Sequence, residues 1–111
     1  MDDKQMLELA AKAAGINFHH VDDAGVWWSN GHMDARVRKW NPLEDDGDAL
    51  RLAAALHISV IQDEAQRTAT SYETYTFSVS VTEAWGSDAR SATRRAIVRA
   101  AAAIGEKNCR T

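Results

Sequence analysis

Three groups of side chains in this 111-residue chain are of types that do chemistry. The first is His19, His20, Asp22, Asp23, His32 and Asp34, imidazoles and carboxylates that can ligate a divalent metal but lack the short fixed spacing of a zinc site. Solvated hairpin ends explain them more simply, so no metal is assigned. The second is Trp85-Gly86-Ser87 with Arg94 and Arg95 further along the same segment. Free amides at a helix start favour anions, guanidinium forks grip phosphate, and an indole can stack on a base. The third is the adjacent pair Trp27 and Trp28, a candidate partner anchor or stacking platform. Asp45, Asp46 and Asp48 lack the alternating ligand pattern of a calcium loop and suit a helix start instead. Serines and threonines are plentiful, but no nucleophile elbow and no phosphate-cradling glycine loop surrounds them. No catalytic residue and no cofactor is therefore assigned, and the chain is expected not to be an enzyme.

The elements that must position these groups follow from periodicity. Residues 2–14 carry Met6, Leu9, Ala10 and Ala13 at helical spacing, with Asp2 and Asp3 at the positive end of the dipole and Gly15 as the stop. The period then becomes two. Residues 16–21 and 26–28 form a hairpin around Asp22-Asp23-Ala24-Gly25, and residues 33–39 beyond Asn30-Gly31 add a third strand. Trp27 and Trp28, as neighbours in a strand, point to opposite faces, so at most one enters a one-sided core. Asn41-Pro42 ends that region, and Pro42-Leu43-Glu44 forms a turn ahead of a helix that starts at or just after Gly47. Trp40 is expected to pack over it.

Residues 57–62 read as a short strand, and the polar stretch 63–71 as a mobile loop or a long hairpin tip. Tyr75, Phe77, Val79 and Val81 alternate with Thr74, Thr76, Ser78, Ser80 and Thr82, which predicts a strand with a hydroxyl face that is wet or lines a shallow pocket. The last helix is expected to run from a Ser87 cap to a stop at Gly105, with Ala89, Ala92, Ala96, Ile97, Ala100, Ala103 and Ile104 as its buried stripe. Arg90 and Arg94 fall on one edge of that stripe and Arg95 and Arg99 on the other, where their stems can cover the core. The order α-β-β-(β)-α-β-β-α predicts an α+β fold: a largely antiparallel sheet of four to five strands layered with helices, in one domain spanning residues 1–111.

Composition narrows the partners. The formal net charge is -3, with 13 Lys+Arg against 16 Asp+Glu, so duplex nucleic acid is not the expected ligand. One cysteine, Cys109, excludes an intrachain disulfide, and no signal peptide or membrane-length apolar run is present, so a cytoplasmic location with no membrane contact is expected. A second subunit, by default in a cyclic dimer, is expected to cover whatever face the Trp-Trp strand leaves bare.

The run Trp40-Asn41-Pro42-Leu43 with Asp45-Asp46-Gly47-Asp48-Ala49-Leu50-Arg51-Leu52-Ala53 resembles the phage ABA sandwich domain family, small phage and prophage proteins. So do residues 92–102, beginning Ala92-Thr93-Arg94-Arg95, and the opening residues 3–15. The resemblance implies an α/β/α layered fold and a place among accessory genes of temperate phages. It implies no activity and no catalytic residues. The resulting expectation is an accessory protein that binds a host component non-covalently, as an inhibitor of a host defence would. A sponge for a nucleotide immune signal is the alternative, and a nucleic-acid-binding accessory protein the third.

Overall fold

The computed structural model describes residues 2–28 and 38–109. Within them the order is α1 (Asp3–Ala13), β1 (Phe18–Asp22), β2 (Gly25–Trp28), β3 (Arg38–Trp40), α2 (Asp46–Leu56), β4 (Ile58–Asp63), β5 (Thr68–Glu73), β6 (Ser80–Ala84) and α3 (Ala89–Cys109). The fold is α+β and antiparallel, but the expectation of one sheet of four to five strands is corrected. The six described strands form two separate sheets, sheet A in the order β1-β2-β3 and sheet B in the order β4-β5-β6.

Local chemistry sets the starts of these elements. Asp2 caps α1 by accepting from the Gln5 amide at 2.8 Å while Gln5 bonds back to the Asp2 amide at 3.1 Å, a reciprocal capping box. Asp45 caps α2, accepting from the Asp48 amide at 2.8 Å, and Pro42-Leu43-Glu44 is the separate turn ahead of it. The β1–β2 turn depends on Gly25, whose φ is +140° and whose missing Cβ would lie 2.7 Å from the Trp40 carbonyl oxygen. Asn41 locks this corner: its side-chain amide donates to the Ala24 carbonyl at 2.8 Å, and its own amide donates to Asp48 at 3.0 Å. Trp40 is buried in the core, as its place beside α2 predicts. Of the expected third strand over residues 33–39, only the end, at Arg38 and Lys39, is described; the Asn30-Gly31 turn, His32 and Asp34 lie outside the described residues.

The layering turns on α3. Ala96, Ile97, Val98, Ala100, Ala101 and Ala102 are all buried, which occupies more of the helix than the one stripe expected. The reason is packing on several sides: α3 lies against α1, against α2 and against all three strands of sheet B. Small side chains permit that closeness. Gly105 is corrected from a stop to a packing residue, since α3 continues to Cys109 and a Cβ on Gly105 would overlap the Leu9 carbonyl of α1. Arg90 is then the second residue of α3, and its amide bonds Asp88 at 3.0 Å, so Asp88 rather than Ser87 is the cap. Leu7 and Ala11 join Met6 and Ala10 in the buried face of α1, while Leu9 and Ala13 are only half-buried.

Sheet B also departs from expectation. Residues 68–73, read from sequence as part of a loop and its end, are the central strand β5, paired without interruption from Ile58↔Glu73 to Asp63↔Thr68. Residues 74–79, read as the clearest strand, are instead the connection to β6. Two left-handed residues make the turns: Arg67 with φ +56° and Phe77 with φ +54°. Neither is the glycine or asparagine that usually signals such a turn.

Candidate functional site

The 74–79 turn is held by backbone bonds at both ends. Phe77 N–H donates to the Glu73 carbonyl at 3.2 Å, Glu73 N–H to Val79 at 3.0 Å and Thr74 N–H to His57 at 3.0 Å. A hydroxyl relay stiffens it, with Thr76 donating to Ser78 at 2.8 Å and Ser78 to the Glu73 carboxylate at 3.0 Å. This small scaffold lifts two aromatic rings into solvent. Tyr75 is 72% exposed and Phe77 67% exposed. Phe77 stacks on Tyr72 with centroids 5.4 Å apart, and Tyr75 meets the His57 ring edge-on at 5.3 Å. Below the turn, no described element covers the outer face of sheet B, where Thr70 and Thr82 share a 2.9 Å hydrogen bond and Ile61 is exposed.

Stability does not explain such a turn. A bulky residue held left-handed costs about 1–2 kcal/mol, and each ring left in water forgoes roughly 1.5–3 kcal/mol of burial. The turn combines a left-handed backbone with two exposed rings at one place.

The tryptophans and arginines singled out in the sequence are placed differently. Trp27 is half-buried and its indole donates to Asp22 at 3.2 Å. Trp28, also half-buried, packs against the core with the Arg38 guanidinium 5.9 Å from its ring centroid, and with Trp40, Ile16 and Leu52 it lines a cleft of about 230 Å³. Trp85 is half-buried, donates to the Gln62 side chain at 2.9 Å and lies under Arg67, whose guanidinium is 5.5 Å from the ring centroid.

Trp85 and Arg95 share a cleft of about 360 Å³ with Ser87, Asp88 and Leu43 at the start of α3. Arg95 already forms a two-pronged pair with Asp3 at 3.1 and 3.3 Å. Arg94 faces α2 instead: its side chain, 15% exposed, donates to the Leu43 carbonyl at 2.9 Å and pairs with Asp46. Arg90 also approaches Asp46, at 3.8 Å, and Arg99 pairs with Glu83 at 2.6 Å. The four arginines thus clamp the two edges of α3, as their angular positions predict.

In sheet A, His20 and Asp22 lie 3.2 Å apart. Desolvation works against the charge of Asp22, but the Ala24 amide, the Trp27 indole and His20 outweigh it and hold the carboxyl below its ordinary range. One further apolar surface went unrecognised in the sequence. Leu50 of α2, 70% exposed, and Val60 of β4, 38% exposed, border a trough of about 370 Å³ with Ala49 and Ile97. No described helix is long and apolar enough to cross a membrane. No family model matches the chain, and neither a curated protein nor a solved structure does.

Proposed function

We propose that this chain is a phage or prophage accessory protein that acts by binding a host protein without performing chemistry on it, in the manner of an inhibitor of a host defence. The phage origin rests on the likeness of residues 40–53 and 92–102 to the ABA sandwich family. The binding mode rests on one observation, the exposed and strained Tyr75/Phe77 turn. Aromatic rings bordered by serine and threonine hydroxyls give rigid contact area together with adaptable hydrogen bonding, the mixture that recognition loops favour. The location that goes with this reading is the host cytoplasm. The test is affinity capture with the immobilised full chain from lysates of several bacterial hosts. A discrete host protein should be retained in stoichiometric amount and released by Tyr75→Ala. Recovery of nothing, or retention unaffected by Tyr75→Ala, overturns the proposal.

A second reading, capture of a small nucleotide, is favoured by the cleft that brings Trp85 and Arg95 together at a helix start. It requires Arg95 to exchange Asp3 for a phosphate. A thermal shift with cyclic or ADP-ribose-type nucleotides that vanishes in Arg95→Ala supports it, and a flat response removes it.

A further inference from the structure

The four outer strands of the two sheets are not equally protected. In sheet A, β1 carries a register irregularity between Phe18 and His20, and β3 presents the exposed cations Arg38 and Lys39. In sheet B, β6 carries the carboxylate of Glu83. Bulges and charges are the devices by which natural sheets prevent strand addition. The fourth outer strand, β4, has no irregularity, and its one charge, Asp63, is its last residue. It is six residues long, its register against β5 is unbroken, and Ile58-Ser59-Val60-Ile61-Gln62 contains neither charge nor proline. Val60 is exposed on the face toward α3 and Ile61 on the other, so each side of the strand presents one exposed aliphatic residue.

Hydrogen-bond parity says which backbone groups are free. Thr74 donates to His57 and Glu73 to Val79. With the registers Ser59↔Tyr72 and Ile61↔Thr70, alternation turns Ser59, Ile61 and Asp63 toward β5. Ile58, Val60 and Gln62 therefore direct their amides and carbonyls away from the sheet, and no described backbone group takes them up.

We propose that β4 is a dimerisation strand that pairs with β4 of a second copy across a two-fold axis at Val60. A two-fold axis normal to the sheet keeps each residue on its own face, so only even register shifts are allowed. The register centred on Val60 pairs Val60 with its counterpart, Ile58 with the second copy's Gln62 and Gln62 with the second copy's Ile58. Every outward backbone group of the strand is then satisfied. The next register toward Asp63 would leave Ile58 facing the second copy's turn. The chosen register sets His57 opposite the second copy's Asp63, a donor against an acceptor, and no like charges face each other. On the α3 side it joins the two Leu50–Val60 troughs into one apolar seam. The product is a continuous six-stranded antiparallel sheet.

Sedimentation equilibrium of the full chain tests this directly, because the wild type should sediment at twice the 12.2 kDa chain mass. Val60→Pro removes an amide that points outward, so the intrachain ladder survives, circular dichroism is unchanged and the dimer dissociation constant rises about tenfold or more. Val60→Lys, which sets two ammonium groups against each other at the axis, is the second variant and should give the same loss even where the proline variant fails to fold. A wild-type chain that stays monomeric at all concentrations, including one whose β4 instead takes up a foreign peptide, overturns the proposal. So does a dimer that survives in either folded variant. None of these results bears on the Tyr75→Ala capture experiment, so the two proposals stand or fall separately.

Discussion

Sheets A and B each have three described antiparallel strands, yet their turns and edges are built differently. Sheet A is closed at its turn by Gly25 against Trp40, locked by Asn41 to both Ala24 and Asp48, and rimmed at its edges by an irregular strand and two cations. Sheet B turns through two left-handed non-glycine residues and leaves Tyr75, Phe77, Ile61 and Val60 in water. In sheet A the unusual backbone at Gly25 closes a tight corner, and in sheet B the one at Phe77 carries an exposed ring. The proposed contact surface lies in the sheet B half, which α1 joins to sheet A through its packing on α3, β1 and β2.

The largest expected effect falls on the sheet A half. Gly105→Ala drives a Cβ into the Leu9 carbonyl and should cost about 3 kcal/mol in urea denaturation. Because α1 lies on both β1 and β2, hydrogen exchange should rise over residues 18–28 more than over residues 58–63. Next come the arginine clamps, which differ by burial. Arg94→Ala takes the donor from the part-buried Leu43 carbonyl and should cost about 1–2 kcal/mol, whereas Arg95→Ala, which breaks a half-exposed pair with Asp3, should cost under about 1 kcal/mol by the same measurement.

Two smaller effects sharpen the contrast from each side. In sheet B the Ser71 hydroxyl is fully buried and has no hydrogen-bond partner, so Ser71→Ala should be neutral or stabilise by up to about 1 kcal/mol in thermal unfolding. In sheet A the depressed carboxyl of Asp22 contributes fully above its unfolded value of 3.8, where it is ionised in both states. That contribution is lost as pH falls from there through the lower folded value. Denaturation followed by tryptophan fluorescence should show the gap between wild type and Asp22→Asn closing below about pH 4.

What the sequence made legible was local. The acidic start of α1, the Asp22–Gly25 turn and the Pro42 turn all depend on residues within a few positions of each other, whereas α2 begins at Asp46, ahead of the expected start at or after Gly47, because Asp45 caps it. The arginine edges of α3 followed from helical geometry alone. Sheet B was misread because its threonines and serines run unbroken through strand and turn alike, and because Arg67 and Phe77 occupy the positions where a glycine would have marked the bends. The aromatic turn was hidden for the same reason: Tyr75 and Phe77 keep the alternation of a strand whose residues actually begin at Ser80. Gly105 was read as a stop because its reason for being glycine lies in α1, far away along the chain. The division of α3 between two layers likewise depends on long-range packing that a single periodic stripe does not reveal.

The most direct test sets one residue from each half against the other in the capture experiment, measuring bound host protein for Phe77→Gly and Trp27→Ala beside the wild type. Glycine relieves the left-handed backbone at Phe77 while removing a ring from Tyr72, so its stability should stay within about 1 kcal/mol of wild type. Phe77→Gly is expected to lose the bound protein and folded Trp27→Ala to retain it. Retention by Phe77→Gly with loss in Trp27→Ala would contradict that expectation and move the binding surface to sheet A.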